Sequence, residues 1–252
     1  MHGDFAFWLA ASVAVILIGL SKGGFSGISS IATPLFALVI SPVRAAAILL
    51  PIMIVQDWVG VWAFRRNFSA RNLEILLPSA LVGIALGWAL ANYVKDAWVL
   101  LAIGIISVVF VGVMLLPQRF RAAGPATPKI FPGFVWGSIS GFTSMVSHSG
   151  GPPFMIYTAP QRLSPPTFAG TAALFFASVN VLKLPPYLLL GQFSPENLQI
   201  SAMLLPVAIL STFAGVWVIR RISADKFYGV ILAATFLIGL KLIYDAVSEI
   251  WF

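Results

Sequence analysis

The first chemistry-bearing group in this chain is Lys22, which stands inside an apolar run reaching from Phe5 to Ile40. A charge at the centre of a bilayer costs about 2.5–3.5 kcal/mol on insertion scales, so such a lysine calls for a reason. Glycines and hydroxyls surround it between Gly19 and Pro34: Gly23, Gly24 and Gly27, with Ser26, Ser29 and Thr33. Glycines let an anion approach backbone N–H groups at a helix start, hydroxyls add donors, and the lysine supplies the opposite charge. That combination suits anion binding. A structural reading stands beside it: Lys22 snorkels to an interface, and Gly19, Gly23 and Gly27, spaced by four, serve close helix packing.

A second stretch of the same character runs from Gly141 to Pro153. Thr143, Ser144, Ser147, His148 and Ser149 are donor-rich, and Gly150, Gly151, Pro152 and Pro153 follow. Proline is well tolerated in a first helical turn, so a helix starting near Pro152 would point its positive end inward. His148 titrates near neutrality in ordinary surroundings, which suits proton coupling, although a lone histidine also serves as a hydrogen-bonded structural group. Gln56 and Asn180 lie at similar places in the spans that follow the two stretches. They suit the walls of a cavity that ligates substrate oxygens, or simple interhelical hydrogen bonding. Asp57 and Lys183 are single intramembrane charges that span ends would also accommodate. Trp58, Trp62, Trp88, Trp136 and Trp217 read as interfacial belt or packing residues.

Other chemistry is set aside. No Gly-Lys-Ser/Thr follows the glycines, so Gly19 to Gly24 is not a phosphate-binding loop. Intramembrane protease pairs are absent: there is no Gly-x-Ser-x-Gly with a convincing histidine partner, no two-aspartate arrangement and no His-Glu-x-x-His. The chain has no cysteine and only two histidines, His2 and His148, which removes disulfides, thiolate catalysis and cysteine or multi-histidine metal sites. Neither an enzyme nor a cofactor is expected.

The elements that must position these groups are membrane helices. Hydrophobic residues make up 60% of the chain and charged ones 9%, where a soluble domain carries roughly a quarter charged. The long apolar runs imply a polytopic helical membrane protein, and ten-residue alternating barrel strands are missing. The net charge of +7 collects in short loops, as expected of cytoplasmic loops, and needs no nucleic acid. Phe5 to Leu20 lacks a basic leader and a cleavage site, so it is expected to be retained. Spans follow at 43–64, 73–94 and 97–116. After a basic, proline-containing linker comes a broken apolar segment at 130–159, then spans at 166–190, 197–219 and 227–247.

Two halves repeat this plan at an offset of about 125 residues. Asn67-Phe-Ser-Ala-Arg-Asn-Leu73 aligns with Gln192-Phe-Ser-Pro-Glu-Asn-Leu198, Leu76-Leu-Pro78 with Leu204-Leu-Pro206, and Ser41-Pro42 with Ser164-Pro165. The expected fold is therefore an all-α polytopic membrane protein of two repeats, each a broken, re-entrant-like helical hairpin plus three transmembrane helices. Residues 1–118 form the first repeat, 119–130 a basic cytoplasmic linker and 131–252 the second repeat. Arg65, Arg66 and Arg71 mark one loop as cytoplasmic, yet its aligned counterpart holds only Glu196, and the basic loop of the second half, with Arg220, Arg221 and Lys226, comes one span later. The positive-inside rule favours inverted repeats on that pattern. Eight simple crossings fit the span lengths equally well but leave Arg220, Arg221 and Lys226 outside. Interrupted segments in matching positions of two halves are the mark of a transporter binding site.

On Gly19-Leu-Ser-Lys-Gly-Gly-Phe-Ser-Gly with Pro34, and on Gly141-Phe-Thr-Ser-Met-Val-Ser-His-Ser-Gly-Gly-Pro-Pro, the chain resembles the sulfite exporter TauE/SafE family of membrane permeases. Its size, duplicated halves and short basic loops are similar too. The resemblance implies a transporter of small sulfur-containing anions such as sulfite or organosulfonates. It places anion contacts at Lys22, Ser26, Ser147, His148 and Gly150 to Pro152. A secondary transporter in a bacterial inner membrane is the expectation, with a small anion, the lipid bilayer and a coupling proton or ion as its partners. The alternatives are a carrier of a different small anion and a membrane scaffold or assembly factor that moves nothing.

Overall fold

Serine caps open three of the long helices. The Ser41 hydroxyl accepts from the Arg44 amide at 3.4 Å, Ser69 from Asn72 at 3.4 Å and Ser194 from Asn197 at 3.2 Å. Each satisfies one of the orphan donors at a helix start, and proline follows Ser41 and Ser194 at the position where its missing N–H costs nothing. The computed structural model describes residues 5–22, 29, 32–90, 93, 96–115, 127–161, 163–219 and 224–251. Gly23, Gly24, Ser26 and Gly27 lie outside these residues, as does the side chain of Ser147.

Among the described residues the secondary structure is all helical. The first half holds α1 (Phe5–Ser21), α2 (Ala32–Phe36), α3 (Pro42–Phe64), α4 (Ala70–Leu90) and α5 (Asp96–Leu115). The second holds α6 (Ile130–Ser147), α7 (Gly151–Thr158), α8 (Pro165–Leu182), α9 (Leu184–Leu189), α10 (Pro195–Ile219) and α11 (Ala224–Trp251). Among the described residues four stretches are long and apolar enough to cross a membrane: Pro42–Phe64, Ala70–Leu90, Thr167–Leu189 and Pro195–Ala214. The third covers α8 and α9 together. These helices meet at Lys183, just before Pro185 and Pro186, whose missing N–H groups interrupt the hydrogen-bond ladder.

Helix pairing runs across the halves. The first helix of each half packs on the third long helix of the other, α1 on α10 and α6 on α4, while α3 packs on α8 and α5 on α11. Exchanging the halves leaves this scheme unchanged. Two buried cores follow the same rule. One joins Leu50 of α3 and Leu76 of α4 to Phe154 of α7 and Phe175 of α8. The other joins Ile18 of α1 and Phe36 of α2 to Ile48 and Ile52 of α3 and Leu204 of α10. α3 serves both cores, and its residues from Ala45 to Leu50 are all buried.

Lipid tails are as apolar as leucine, so helices in a bilayer associate through close packing and polar contacts rather than the hydrophobic effect. Gly133, Gly137 and Gly141 on α6 supply that closeness against α4. A Cβ on Gly141 would collide with the Ala80 carbonyl, and one on Gly83 with the Ser138 carbonyl. Gly19 lies equally close to Ser211 where α1 meets α10. Polar anchors add register. Asn72 donates to Gln161 at 2.8 Å, and Arg44 donates to Asn197 at 3.2 Å while pairing with Glu196. Trp58, Trp62 and Trp88 face outward, and Trp136 is half-buried against the first core.

Gly141→Val is expected to destabilise the protein by about 1–3 kcal/mol or more, because the added carbons meet backbone that cannot yield. Gly112→Ala, at a position with nothing within 4 Å, is expected to change the melting temperature little. Melting curves of the two purified variants in detergent check the contrast.

Candidate functional site

α6 ends on an unusual residue. His148 has φ +56°, the left-handed region that glycine occupies most cheaply, and it is the only described non-glycine residue with positive φ. Its amide bonds back to the Ser144 carbonyl at 3.2 Å, and the chain restarts as α7 at Gly151. Gly150 lies against Ser140 and Ser144, and its carbonyl accepts from the Ser140 hydroxyl at 2.7 Å. The turn thereby aims the imidazole back into the protein, with the first residue of α7 beside it.

There His148 meets Lys183. The imidazole Nε2 donates to the Ala46 carbonyl of α3 at 2.8 Å, since a carbonyl can only accept, and this leaves Nδ1 as the free lone pair. Lys183 Nζ lies 2.7 Å from that Nδ1 and 3.1 Å from both the carbonyl and the hydroxyl of Ser144. Three acceptors thus receive the three N–H donors of an ammonium group. Lys183 is fully buried, and the kink before Pro185 and Pro186 sets it at the junction of α8 and α9. One turn on, Tyr187 stacks on His148 and donates to the Met145 carbonyl at 2.9 Å, holding α9 against the end of α6.

The first half builds a matching pair. Lys22, just after α1, donates to Asp57 Oδ1 at 2.5 Å, and Asn180 of α8 donates to the other carboxylate oxygen at 2.6 Å. Asp57 is buried on α3. Lys22 and Asp57 are separated by 35 residues, and so are His148 and Lys183. Each half therefore carries a basic or titratable residue at its helical break and a charged partner in its next span.

Between the pairs lies a cavity lined by Ser21, Lys22 and Ser29 from the first half and Ser144, His148 and Gly151 from the second, with Asp57 on its wall. Gly60, Ala169, Ala172 and Ala173 leave the space, which amounts to about 40 Å³. One water needs about 10–15 Å³, so the cavity has room for about three waters or a small oxyanion.

Of the residues picked out from the sequence, Lys22, Ser29, Ser144, His148 and Gly151 converge on this cavity, and Asn180 holds its Asp57 wall. Thr143 and Ser149 belong to the turn: the Thr143 hydroxyl lies 2.8 Å from the Ile139 carbonyl and 3.2 Å from that of Ser149. Thr33 is buried in α2 and Oγ1 has no hydrogen-bond partner among the described residues. Gln56 is turned the other way, donating to the Val15 carbonyl at 3.3 Å and to the Ala208 carbonyl at 3.2 Å, which ties α3 to α1 and α10. Asp57 and Lys183, which span ends would also have accommodated, are instead buried at the centre of the polar cluster. The recurring 35-residue spacing was the signal in the sequence that could have found them.

Membrane-length apolar helices, all-helical secondary structure among the described residues and two charge pairs meeting beside one cavity are the parts of a membrane permease. The family model of the sulfite exporter TauE/SafE proteins matches residues 11–242, and the chain belongs to that family. Its members are membrane permeases for sulfite and sulfonates, transporters rather than enzymes. No curated protein and no solved structure matches the chain.

Removing one member of a buried ion pair costs about 3–5 kcal/mol, because the other is left uncompensated. Lys22→Met and Asp57→Leu are each expected to destabilise strongly, and the double variant less than the sum of the two. Denaturant unfolding of all four proteins in detergent measures the coupling.

Proposed function

We propose that this chain is a secondary transporter of a small sulfur-containing anion, sulfite-like or an organosulfonate, bound in the cavity between Lys22 and His148. The observation that carries the reading is the convergence of the two helical breaks, one from each half, on one small charged cavity. An arriving anion competes with Asp57 for the Lys22 ammonium and meets Ser144 and the start of α7 on the opposite wall. His148 supports the reading through its backbone, since a left-handed residue costs about 1–2 kcal/mol that glycine would avoid. Both of its ring nitrogens are engaged, which favours holding Lys183 in place over carrying a proton in this state.

The reading includes inverted repeats, 1–118 and 131–252, joined through the basic linker 119–130 on the cytoplasmic side of a bacterial inner membrane. Each repeat would begin with a hairpin entering and leaving on one side, and access would alternate as one half rocks against the other. The exchange-symmetric helix pairing and the matched 35-residue spacings support a duplication. The positive-inside pattern of the loops supports inversion. Gln56 and Asn180 act here as struts, and Gly23, Gly24, Ser26, Gly27 and Ser147 complete the anion contacts by resemblance to the family. A scaffold that moves nothing has no use for space between paired charges.

Lys22→Ala is expected to abolish anion efflux from proteoliposomes and any ligand-induced rise in melting temperature, while the protein still inserts. His148→Asn, a residue that tolerates left-handed backbone, should fold and lose at least about tenfold in transport rate. Normal flux in both would sink the site. The chain has no native cysteine, so single cysteines report topology without background. Arg71→Cys and Glu196→Cys, at aligned positions, are expected to label from opposite sides of the membrane; labelling from the same side would point to parallel repeats.

A further inference from the structure

The two pairs at the cavity also set the charge of what can bind there. Lys22 and Asp57 share one hydrogen bond between a cation and an anion, so together they carry no net charge wherever the proton sits. Lys183 and His148 are joined through a single N···N contact of 2.7 Å, while Nε2 already donates to Ala46. Two protonated groups would place two donors face to face there, and the three acceptors around Lys183 Nζ match the three N–H donors of an ammonium group, so the geometry fits one positive charge on the pair, held on Lys183. Lys183 stands behind His148 rather than on the cavity wall; among the described residues no charged residue other than Lys22 and Asp57 lines the cavity, and the sequence between Gly23 and Ile31 contains none. The site as a whole therefore has a charge of +1.

We propose that the cavity selects singly charged oxyanions over doubly charged ones of the same shape. This rests on the transport reading above and names the charge class of its substrate. A monoanion brings the buried site to neutrality. A dianion leaves one uncompensated negative charge at membrane depth, and a neutral isostere leaves the +1 unanswered. Sulfonates of the form R–SO3⁻ with no second acidic group meet the requirement directly, and a diprotic oxyanion meets it in its singly protonated form.

The test uses three tetrahedral sulfur compounds of closely similar size: dimethyl sulfone, neutral; methanesulfonate, singly charged; and sulfate, doubly charged. Their effect on the melting temperature of the purified full chain is titrated to apparent affinity. Methanesulfonate is expected to stabilise the protein, sulfate to bind about tenfold or more weaker, and dimethyl sulfone to have no effect. Asp57→Asn keeps an acceptor for Lys22 and raises the site charge to +2, so it is expected to shift the ratio toward sulfate by about tenfold or more. Lys183→Gln lowers the charge to zero and should lose methanesulfonate binding. If Asp57→Asn does not fold, the wild-type series and Lys183→Gln decide the matter. Sulfate binding as well as or better than methanesulfonate in the wild type overturns the charge assignment and leaves transport standing. The absence of both stabilisation and flux with any anion overturns the transport reading and the charge assignment with it.

Discussion

Charge inside a bilayer has to be answered locally, and the interior of this protein is arranged around that requirement. Two lysines lie among apolar helices, one beside a carboxylate and the other beside an imidazole and a serine. Neither arrangement arises within a single helix. Each needs a backbone break to turn one partner inward and a neighbouring span to present the other. The left-handed residue at His148, the kink before Pro185 and Pro186 and the amide of Asn180 all serve to hold these partners together. Glycine contacts such as Gly141 on Ala80 bring the helices near enough for such short bonds to form.

Position along α3 explains why the cavity exists at all. This helix gives Ala46 to His148 through its carbonyl and Asp57 to Lys22 through its carboxylate, while its leucines and isoleucines divide between both cores. Gly60 of α3 faces Ala169, Ala172 and Ala173 of α8, so the two packed cores flank a gap instead of merging. The polar residues that cannot be buried unpaired are gathered at one edge of this otherwise apolar gap. Stability and the cavity therefore have a common origin in the large and small side chains that α3 and α8 present to one another.

Much of this was legible in the chain. Composition and apolar runs identified a polytopic helical membrane protein, and the two glycine-rich breaks pointed to Lys22 and His148, which face one cavity. Asn72 and Asn197, aligned by the repeat, occupy the same capped helix start and each reach into the other half. Asp57 and Lys183 were harder to place, because a lone charge in an apolar span looks the same whether it snorkels or pairs. Only the partner decides, and partners 35 residues away belong to tertiary structure. Gln56 shows the opposite difficulty. Its surroundings resembled those of Asn180, yet helix rotation turned its amide toward the carbonyls of Val15 and Ala208.

The crossed pairing of helices also bears on how the protein is made. α1 is synthesised well before the partner that covers its packed face at Gly19, which is α10 in the second half. α4 and α6, by contrast, are near neighbours in sequence and can dock as soon as both have emerged. The nascent chain must therefore hold its first helix in lipid, with Lys22 lacking its final surroundings, until the second half has inserted. The cavity therefore closes only after the second half has inserted, so a product truncated before α10 presents neither the cavity nor a closed core.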